Sequence, residues 1–171
     1  FFSRTCMNEE EQNDIYILDT NVLLELERWI PIEIGPTFWD LLEKALKDGK
    51  WVLLDIIVEE IGYPATLVAW CKKQRAMGNV VKIDDSQRER GVEINRLFPM
   101  IDESSGRSEK DTYLIAYAEA YGLTVFSREG PKKPSESRYK IPDVCTELKV
   151  RSIRNPRTFY KLIGIVSGIF S

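Results

Sequence analysis

Short apolar runs alternate with longer stretches of helical periodicity along most of the chain. Residues 15–18 are an unbroken apolar run with β-branched members, a pattern typical of a parallel strand buried on both faces. Similar runs predict strands at residues 51–54, 80–83, 123–126 and 150–153. Apolar periodicity and end signals predict helices at residues 22–29, 37–49, 56–61, 64–77, 86–98 and 109–121, with further helices opening at Pro142 and at Asn155. This alternation predicts an α/β fold: a three-layer α/β/α sandwich with a mainly parallel central sheet.

The length of the chain predicts one domain. Its 171 residues suffice for one good-sized core. Residues 1–14 contain an acidic stretch without any period, so we predict an N-terminal tail there and a single domain over residues 15–171. The apolar end, residues 162–170, is too short to cross a bilayer, and we expect it to pack on its own domain or on a second copy in a homodimer. We therefore expect no membrane association and a cytoplasmic location.

The absence of histidine narrows the possible chemistry most. The chain has no His, which excludes Ser-His-Asp and Cys-His relays and the usual His-containing zinc and iron sites. Three cysteines, Cys6, Cys71 and Cys145, are an odd number without Cys-x-x-Cys spacing, so we expect buried or incidental thiols. Acid–base chemistry must therefore come from carboxylates, Lys, Tyr or water.

Charge is distributed unevenly along the chain. The net charge is -3, yet residues 128–161 contain 10 Lys/Arg and 4 Asp/Glu and so carry about +6. A locally basic segment on an acidic protein is either a phosphate-contacting face or an ordinary solvated surface. Charge alone does not decide between these two interpretations.

Acidic residues follow the predicted strands. Asp19 comes directly after the first strand, Glu59 and Glu60 lie shortly after the second, and Glu129 follows the strand at 123–126. Asp111 lies in the first turn of the helix that leads into that strand. In an open α/β sheet, ligands bind at the carboxyl ends of the strands. Converging carboxylates need a cation, and oxygen ligands favour Mg²⁺ or Mn²⁺.

Each of these acids also has a purely structural interpretation. Asp19 can cap the helix that follows it. Asp111 lies three residues after Ser108, the reciprocal position of a capping box. Glu59 and Glu60 can form a solvated helix face, and Glu129 can be a simple loop carboxylate. The joint pattern, with all the acids in this order on one α/β domain, is stronger than any single position.

That joint pattern resembles the PIN-domain ribonucleases. The likeness covers most of the chain from Tyr16 on, and it depends on Tyr-Ile-Leu-Asp-Thr-Asn-Val at residues 16–22, Val-Glu-Glu-Ile at 58–61, and the helix at 111–118 followed by the strand at 123–126. Residues 36–40 and 140–145 are further similar to a PIN-like group catalogued as a domain of unknown function and often regarded as toxins of toxin–antitoxin pairs.

The resemblance implies a set of site residues. Three acids of the family match Asp19, Glu60 and Asp111, with Glu59 as the alternative for the second. The fourth is usually an aspartate in a Thr-x-Asp turn, whereas this chain has Glu129 after Ser127. All four acids are implied as catalytic residues and as ligands of Mg²⁺ or Mn²⁺. The side chains of Thr20, Asn21 and Ser127 match positions that orient those acids.

The predicted function is metal-dependent hydrolysis of RNA phosphodiester bonds. This endoribonuclease would be the toxin of a pair whose antitoxin protein covers the acidic cleft. Tyr139 either stacks on an unpaired base or packs locally. The residues expected to hold the RNA backbone are Arg128, Lys132, Lys133, Arg138 and Lys140.

Two other functions are alternatives to this one. A non-catalytic PIN-like module that binds a partner protein or RNA is the main alternative, because the turn that carries Glu129 departs from the family pattern. An aspartyl-phosphate phosphotransferase or signalling receiver is disfavoured, because position 21 is Asn21 rather than a second acid and no phosphate-binding Gly-Lys loop is present.

Overall fold

The computed structural model describes residues 14–157. The strands in this part of the chain are β1 (Tyr16–Leu18), β2 (Trp51–Val52), β3 (Thr124–Phe126) and β4 (Ser152–Ile153). The helices are α1 (Thr20–Trp29), α2 (Pro36–Lys47), α3 (Asp55–Glu60), α4 (Ala65–Ala76), α5 (Asp85–Leu97), α6 (Glu109–Tyr121) and α7 (Ile141–Glu147). Apart from Asp14, the predicted N-terminal tail lies outside the described residues. So do the apolar end at 162–170 and most of the helix predicted to open at Asn155.

The four strands form one parallel sheet in the order β2-β1-β3-β4. Tyr16 lies opposite Trp51 on one side and Thr124 on the other, so β1 is central. With helices packed on this sheet, the fold is the predicted three-layer α/β/α sandwich. The chain leaves β1 towards β2 and later returns to the other side of β1 as β3. The carboxyl ends of β1 and β3 therefore form the point where strand order reverses, which is where open α/β sheets bind ligands.

Local sequence explains where the elements begin and end. All three residues of β1 are buried, as expected for a continuous apolar run in a parallel sheet. α5 begins after Asp84, whose side chain accepts a hydrogen bond from the backbone of Gln87, while the Gln87 side chain accepts one from the Asp84 backbone. α6 ends at Gly122, which has the left-handed backbone (φ 66°) that glycine adopts without strain.

One hydrophobic core fills the space between the sheet and the helices. Leu18 and Val125 from the sheet and Leu114 from α6 have no exposed surface. The thiols of Cys71 and Cys145 are both free and buried, as predicted, and burial raises the pKa of each to about 12. Such thiols are inert at neutral pH. Cys6 lies outside the described residues.

One predicted strand is wrong. Residues 80–83 contribute only an isolated parallel bridge between Val81 and Leu54. Two backbone hydrogen bonds make this bridge, from Asp55 to Val81 and from Val81 to Leu53. Because α3 begins at Asp55, the segment next to Val81 leaves the sheet at that point. The residues that follow Val81 therefore have no strand to pair with. The other strands exist but are shorter than predicted.

Across residues 14–157, the longest helices have 13 residues. No helix in this part of the chain is long and apolar enough to cross a membrane.

Candidate active site

Asp19 lies at the reversal point of the sheet, between β1 and α1. Its backbone N–H donates to the carbonyl of Phe126 at the end of β3, 3.0 Å away. Its side chain is 5% exposed and accepts a hydrogen bond from the backbone N–H of Thr20 at 2.7 Å. Asp19 therefore does cap α1, as its structural interpretation predicted. Its second carboxylate oxygen remains available for contacts across the sheet edge.

A hydrogen-bond network joins that second oxygen to the turn after β3. The buried Ser127 hydroxyl donates to Asp19 Oδ2 at 2.8 Å and accepts from the backbone N–H of Glu129 at 3.1 Å. Asn21 donates to Ser127 Oγ at 3.4 Å and accepts from the backbone N–H of Arg128 at 3.0 Å. The side chains of Asn21 and Ser127, predicted to orient the acids, thus fix Asp19 relative to the turn that carries Glu129.

The structure distinguishes between the two candidate glutamates of α3. The Thr20 hydroxyl donates a short hydrogen bond to Glu60, which brings Glu60 to the same edge as Asp19. Glu59 instead lies 3.8 Å from the guanidinium of Arg75 on α4. Glu60 is therefore the glutamate next to the cluster, and Glu59 is a solvated, ion-paired residue.

Asp111 does not take part in the capping box that its spacing with Ser108 allowed. Ser108 has a left-handed backbone (φ 71°) and its side chain makes no capping hydrogen bond to the first turn of α6. Ser108 instead acts on the Asp111 carboxyl, where it slightly lowers a pKa that burial raises, and Asp111 is half-buried. The capping interpretation of Asp111 is wrong, because the left-handed turn directs Ser108 away from the helix N–H groups.

Glu129 joins the cluster but also anchors a loop. Its Oε2 accepts a hydrogen bond from the backbone N–H of Ile141 at 3.0 Å, at the start of α7. Burial raises the pKa of its carboxyl, while this hydrogen bond and the charge of Lys140 lower it, and the net shift is upward. Glu129 is therefore more than a solvated loop residue, although one of its two oxygens is already engaged.

The four acids interact through their charges. Burial raises the pKa of Asp19 to about 6, and the charges of Glu129 and Glu60 add to this effect. Burial raises the pKa of Asp111 to about 8, reinforced by the charges of Asp19, Glu129 and Glu60. Within residues 14–157, none of these four carboxylates forms an ion pair with Lys or Arg. The acids at the sheet edge are thus not ion-paired, and Lys140 acts on Glu129 only through its charge.

The donor chemistry of this edge fits Mg²⁺ or Mn²⁺. Four carboxylates and the hydroxyls of Thr20 and Ser127 offer only oxygen, which both ions prefer. In the part of the chain that is described, however, no three His, Cys, Asp or Glu side chains lie close enough together to hold an ion. The acids share one edge and interact through their charges, but three of them do not meet at a single point.

An open cleft of about 450 Å³ adjoins two of the acids. One wall is the loop before α6 together with its first turn, and the other is the loop that follows β3. The lining residues are Met100, Arg107, Ser108, Asp111, Glu129, Ser135, Glu136, Ser137, Arg138, Tyr139 and Lys140. The cleft is therefore lined by carboxylates, cations and hydroxyls together.

Two of the five predicted RNA-contacting residues line this cleft. Arg138 lies 2.8 Å from Asp102, and Lys140 lies 3.5 Å from Glu136, so each is already paired with a carboxylate. Lys132 lies next to the lining residues, with its ammonium 4.9 Å from the centre of the Tyr139 ring.

Arg128 and Lys133 are not in the lining. The Arg128 guanidinium pairs with Glu25 at 2.6 Å and lies over the Trp29 ring at 5.4 Å. The Lys133 side chain is exposed beyond the cleft. Arg128 was predicted to hold the RNA backbone as part of the basic segment near the acidic edge. Its guanidinium pairs instead with Glu25, which is distant in sequence and could not be foreseen.

Sequence reasoning missed Arg107, which lines the cleft beside Asp111. The sequence did offer one signal, because Arg107 directly precedes Ser108 and the helix that carries Asp111.

Comparison with known proteins gives one family and no activity. The model of the family described as "Domain of unknown function (DUF4411)" matches residues 16–161, which include every described strand and helix. No curated protein matches this chain.

Proposed function

The chain belongs to the DUF4411 family, and we propose that it is a metal-dependent endoribonuclease, the toxin of a toxin–antitoxin pair. The observation that carries this proposal is the gathering of Asp19, Glu60, Asp111 and Glu129 at the carboxyl edge of the sheet without a cationic partner in residues 14–157. Carboxyl groups that are buried and raise one another's pKa are unfavourable in their charged form unless a cation neutralises them.

The four acids would hold Mg²⁺ or Mn²⁺. When bound, such an ion lowers the pKa of a water molecule and neutralises charge on the phosphoryl group. The protein's own contribution is to hold the carboxylates in place. Ser127 and the Thr20 N–H fix both oxygens of Asp19, and the Thr20 hydroxyl fixes Glu60. No histidine is needed for this chemistry.

The basic side of the cleft supports RNA as the substrate. Arg138 and Lys140 lie beside Asp111 and Glu129, where they can contact phosphates on either side of the bond that is cut. Their carboxylate partners keep them oriented while no RNA is bound. An antitoxin partner, a homodimer and a cytoplasmic location belong to the same proposal and stay predictions.

A second function has a specific observation in its favour. Glu129 already uses one oxygen to anchor Ile141, and no three acids within residues 14–157 meet closely enough to hold an ion. A module that binds RNA or a protein without cutting it needs neither arrangement. The same cleft would then serve for binding alone.

Cleavage of a mixed RNA substrate by the purified protein separates these two functions. Each reaction contains Mn²⁺ or Mg²⁺, with EDTA as a control. The Asp19→Asn and Asp111→Asn variants should lose activity by more than the about 10- to 100-fold typical of residues that only support metal ligands. Asp85→Asn, an exposed acid on α5, is the matched control and should cut like the wild type. RNA that binds but stays intact with either metal would favour the non-catalytic module.

A further inference from the structure

Arg107 differs from the other cations of the cleft. Arg138 and Lys140 each pair with a carboxylate, whereas Arg107 is exposed and forms no ion pair within the described part of the chain. It lines the same cleft as Asp111 and Glu129. Its guanidinium therefore has its hydrogen-bond donors available to an anionic ligand.

The loop that carries Arg107 is held in a defined shape. The backbone N–H of Asp102 donates to the Arg107 carbonyl at 3.0 Å, and the Gly106 N–H donates to the Asp102 carbonyl at 2.7 Å. The Asp102 side chain accepts from the Ser104 N–H at 3.0 Å and pairs with Arg138 across the cleft. Gly106 has a left-handed backbone (φ 67°) that closes the turn. The main chain at Arg107 is thus fixed relative to the opposite wall.

The two most apolar lining residues of the cleft, Met100 and Tyr139, already have packing partners. Met100 is buried, and the Tyr139 ring already packs against Phe98, with 5.6 Å between ring centres, and under the ammonium of Lys132. Phe98 and Lys132 therefore already cover part of this ring. Of the two interpretations of Tyr139, local packing is confirmed. The remaining lining side chains carry charges or hydroxyls, which suit phosphate and ribose.

We propose that Arg107 binds a backbone phosphate of RNA in this cleft, and that the cleft holds its nucleotide by phosphate and ribose whichever base it carries. The hydroxyls of Ser135 and Ser137 on the facing wall are the neutral donors of the same subsite. This inference rests on the proposed function for its ligand, RNA, but it concerns binding and not the cutting step.

The test is RNA binding by the full chain in EDTA, where metal-dependent cleavage cannot occur. Labelled single-stranded oligoribonucleotides of one length, each made of only U, only A or only C, are titrated at several salt concentrations. Arg107→Gln should weaken binding about tenfold, as for loss of a charged hydrogen bond. Loss of one phosphate contact should also reduce the slope of log affinity against log salt by about 0.7. Arg107→Lys keeps the charge and should retain most of that slope. Arg96→Gln, an exposed arginine on α5, is the control and should bind like the wild type.

The expected weakening is equal for all three oligonucleotides. An unchanged affinity and slope in Arg107→Gln would overturn the inference, and so would a loss confined to one base or an absence of RNA binding by the wild type. Equal thermal unfolding of Arg107→Gln and wild type excludes misfolding as the cause. If the wild type cuts RNA with Mn²⁺ while Arg107→Gln binds normally, the inference alone fails. If the wild type never cuts but Arg107→Gln binds weakly, the nuclease proposal alone fails.

Discussion

Two regions of the molecule handle acidic side chains in opposite ways. Between α5 and α6, Arg90 makes two hydrogen bonds to Glu119, at 2.7 and 3.0 Å, and lies 2.8 Å from Glu93, so the acids there are neutralised. At the carboxyl edge of the sheet, burial and the charges of other acids raise the pKa of both Asp19 and Asp111. Yet neither carboxylate forms an ion pair with a cation in residues 14–157. The chain thus forms ion pairs with the acids at a helix interface and leaves the acids at the sheet edge without such pairs.

Arg128 shows that the difference is not due to a shortage of cations. Its backbone N–H is part of the network around Asp19, through Asn21, but its guanidinium turns away to Glu25 and Trp29. An arginine within reach of the acidic edge is therefore engaged elsewhere. Unneutralised buried acids cost stability, and sites of this kind are enriched in function. This contrast between the two regions is the physical reason for proposing that the sheet edge binds a cation.

Removing the hydrogen bond that holds Asp19 should give the largest effect. Ser127→Ala deletes the hydroxyl that lowers the pKa of Asp19, so that pKa should rise further above its present value of about 6. RNA cleavage at neutral pH should fall about 10- to 100-fold. Part of the loss should return at higher pH, where Asp19 ionises again, and a pH–rate profile measures this. Ser86→Ala removes an exposed hydroxyl on α5 and should leave the profile unchanged. A loss in Ser127→Ala that is equal at every pH would show that Asp19 is not the group affected.

The second prediction concerns stability against pH. The pKa of Asp111 is raised to about 8 in the folded chain, above its ordinary value of 3.8, so the folded state binds the proton more tightly than the unfolded state. The free energy of unfolding of the metal-free protein should therefore fall as pH rises from 5 to 8, by about 1 to 3 kcal/mol given the partial exposure of this side chain. Histidine is absent, so no histidine titration overlaps this range.

Urea unfolding of two variants tests whether Asp111 causes this dependence on pH. Asp111→Asn should stabilise the metal-free protein at pH 8 and flatten the dependence on pH, whereas Asp85→Asn should keep the wild-type dependence. A wild-type protein whose stability rises from pH 5 to 8 would contradict the electrostatic account of the edge.

The smallest effect is expected in the neutralised region. Arg90→Gln leaves Glu93 and Glu119 without their partner and should lower the free energy of unfolding by about 1 kcal/mol, because the pair is partly exposed. RNA cleavage should not change. The sign is thus opposite to that of Asp111→Asn, which should stabilise the metal-free protein. Arg96→Gln is the matched control for the loss of a positive charge. If Arg90→Gln stabilised the protein, the contrast between the two regions would be wrong.

The sequence predicted the parts of this molecule that depend on neighbours in the chain. β1 and Asp19 were predictable, because a buried parallel strand needs an apolar run and the acid follows it directly. The start of α5 was predictable as well, because the capping side chain of Asp84 reaches only as far as Gln87, three residues on. Predictions failed where a distant contact decides. Val81 lies in an apolar run but has only one residue to pair with, and the Arg128 guanidinium is directed by Glu25, about a hundred positions away.

In the candidate site too, features set by neighbours in the chain were predictable and features set by distant contacts were not. All four acids were placed at one sheet edge from sequence. In the structure the charges of Glu60 and Glu129 raise the pKa of Asp19 and, together with Asp19, that of Asp111. The choice of Glu60 over Glu59 required the hydrogen bond from Thr20, which depends on how α3 packs against α1. The capping interpretation of Asp111 failed because the left-handed backbone of Ser108 cannot be read from residue types. Arg107 was missed because the shape of its loop depends on the Asp102–Arg138 pair.

Binding of Mn²⁺ to the metal-free protein, measured by titration calorimetry at pH 7, tests most directly whether the acidic edge takes a divalent cation. Titrations in two buffers of different ionisation enthalpy give the number of protons that the protein releases on binding. The wild type should bind Mn²⁺ and release protons, because the raised pKa of Asp111 keeps that carboxyl largely protonated until a cation neutralises the edge. Asp19→Asn and Asp111→Asn should bind far more weakly, and Asp85→Asn should bind like the wild type. No binding to the wild type, or equal binding by all four proteins, would contradict the account.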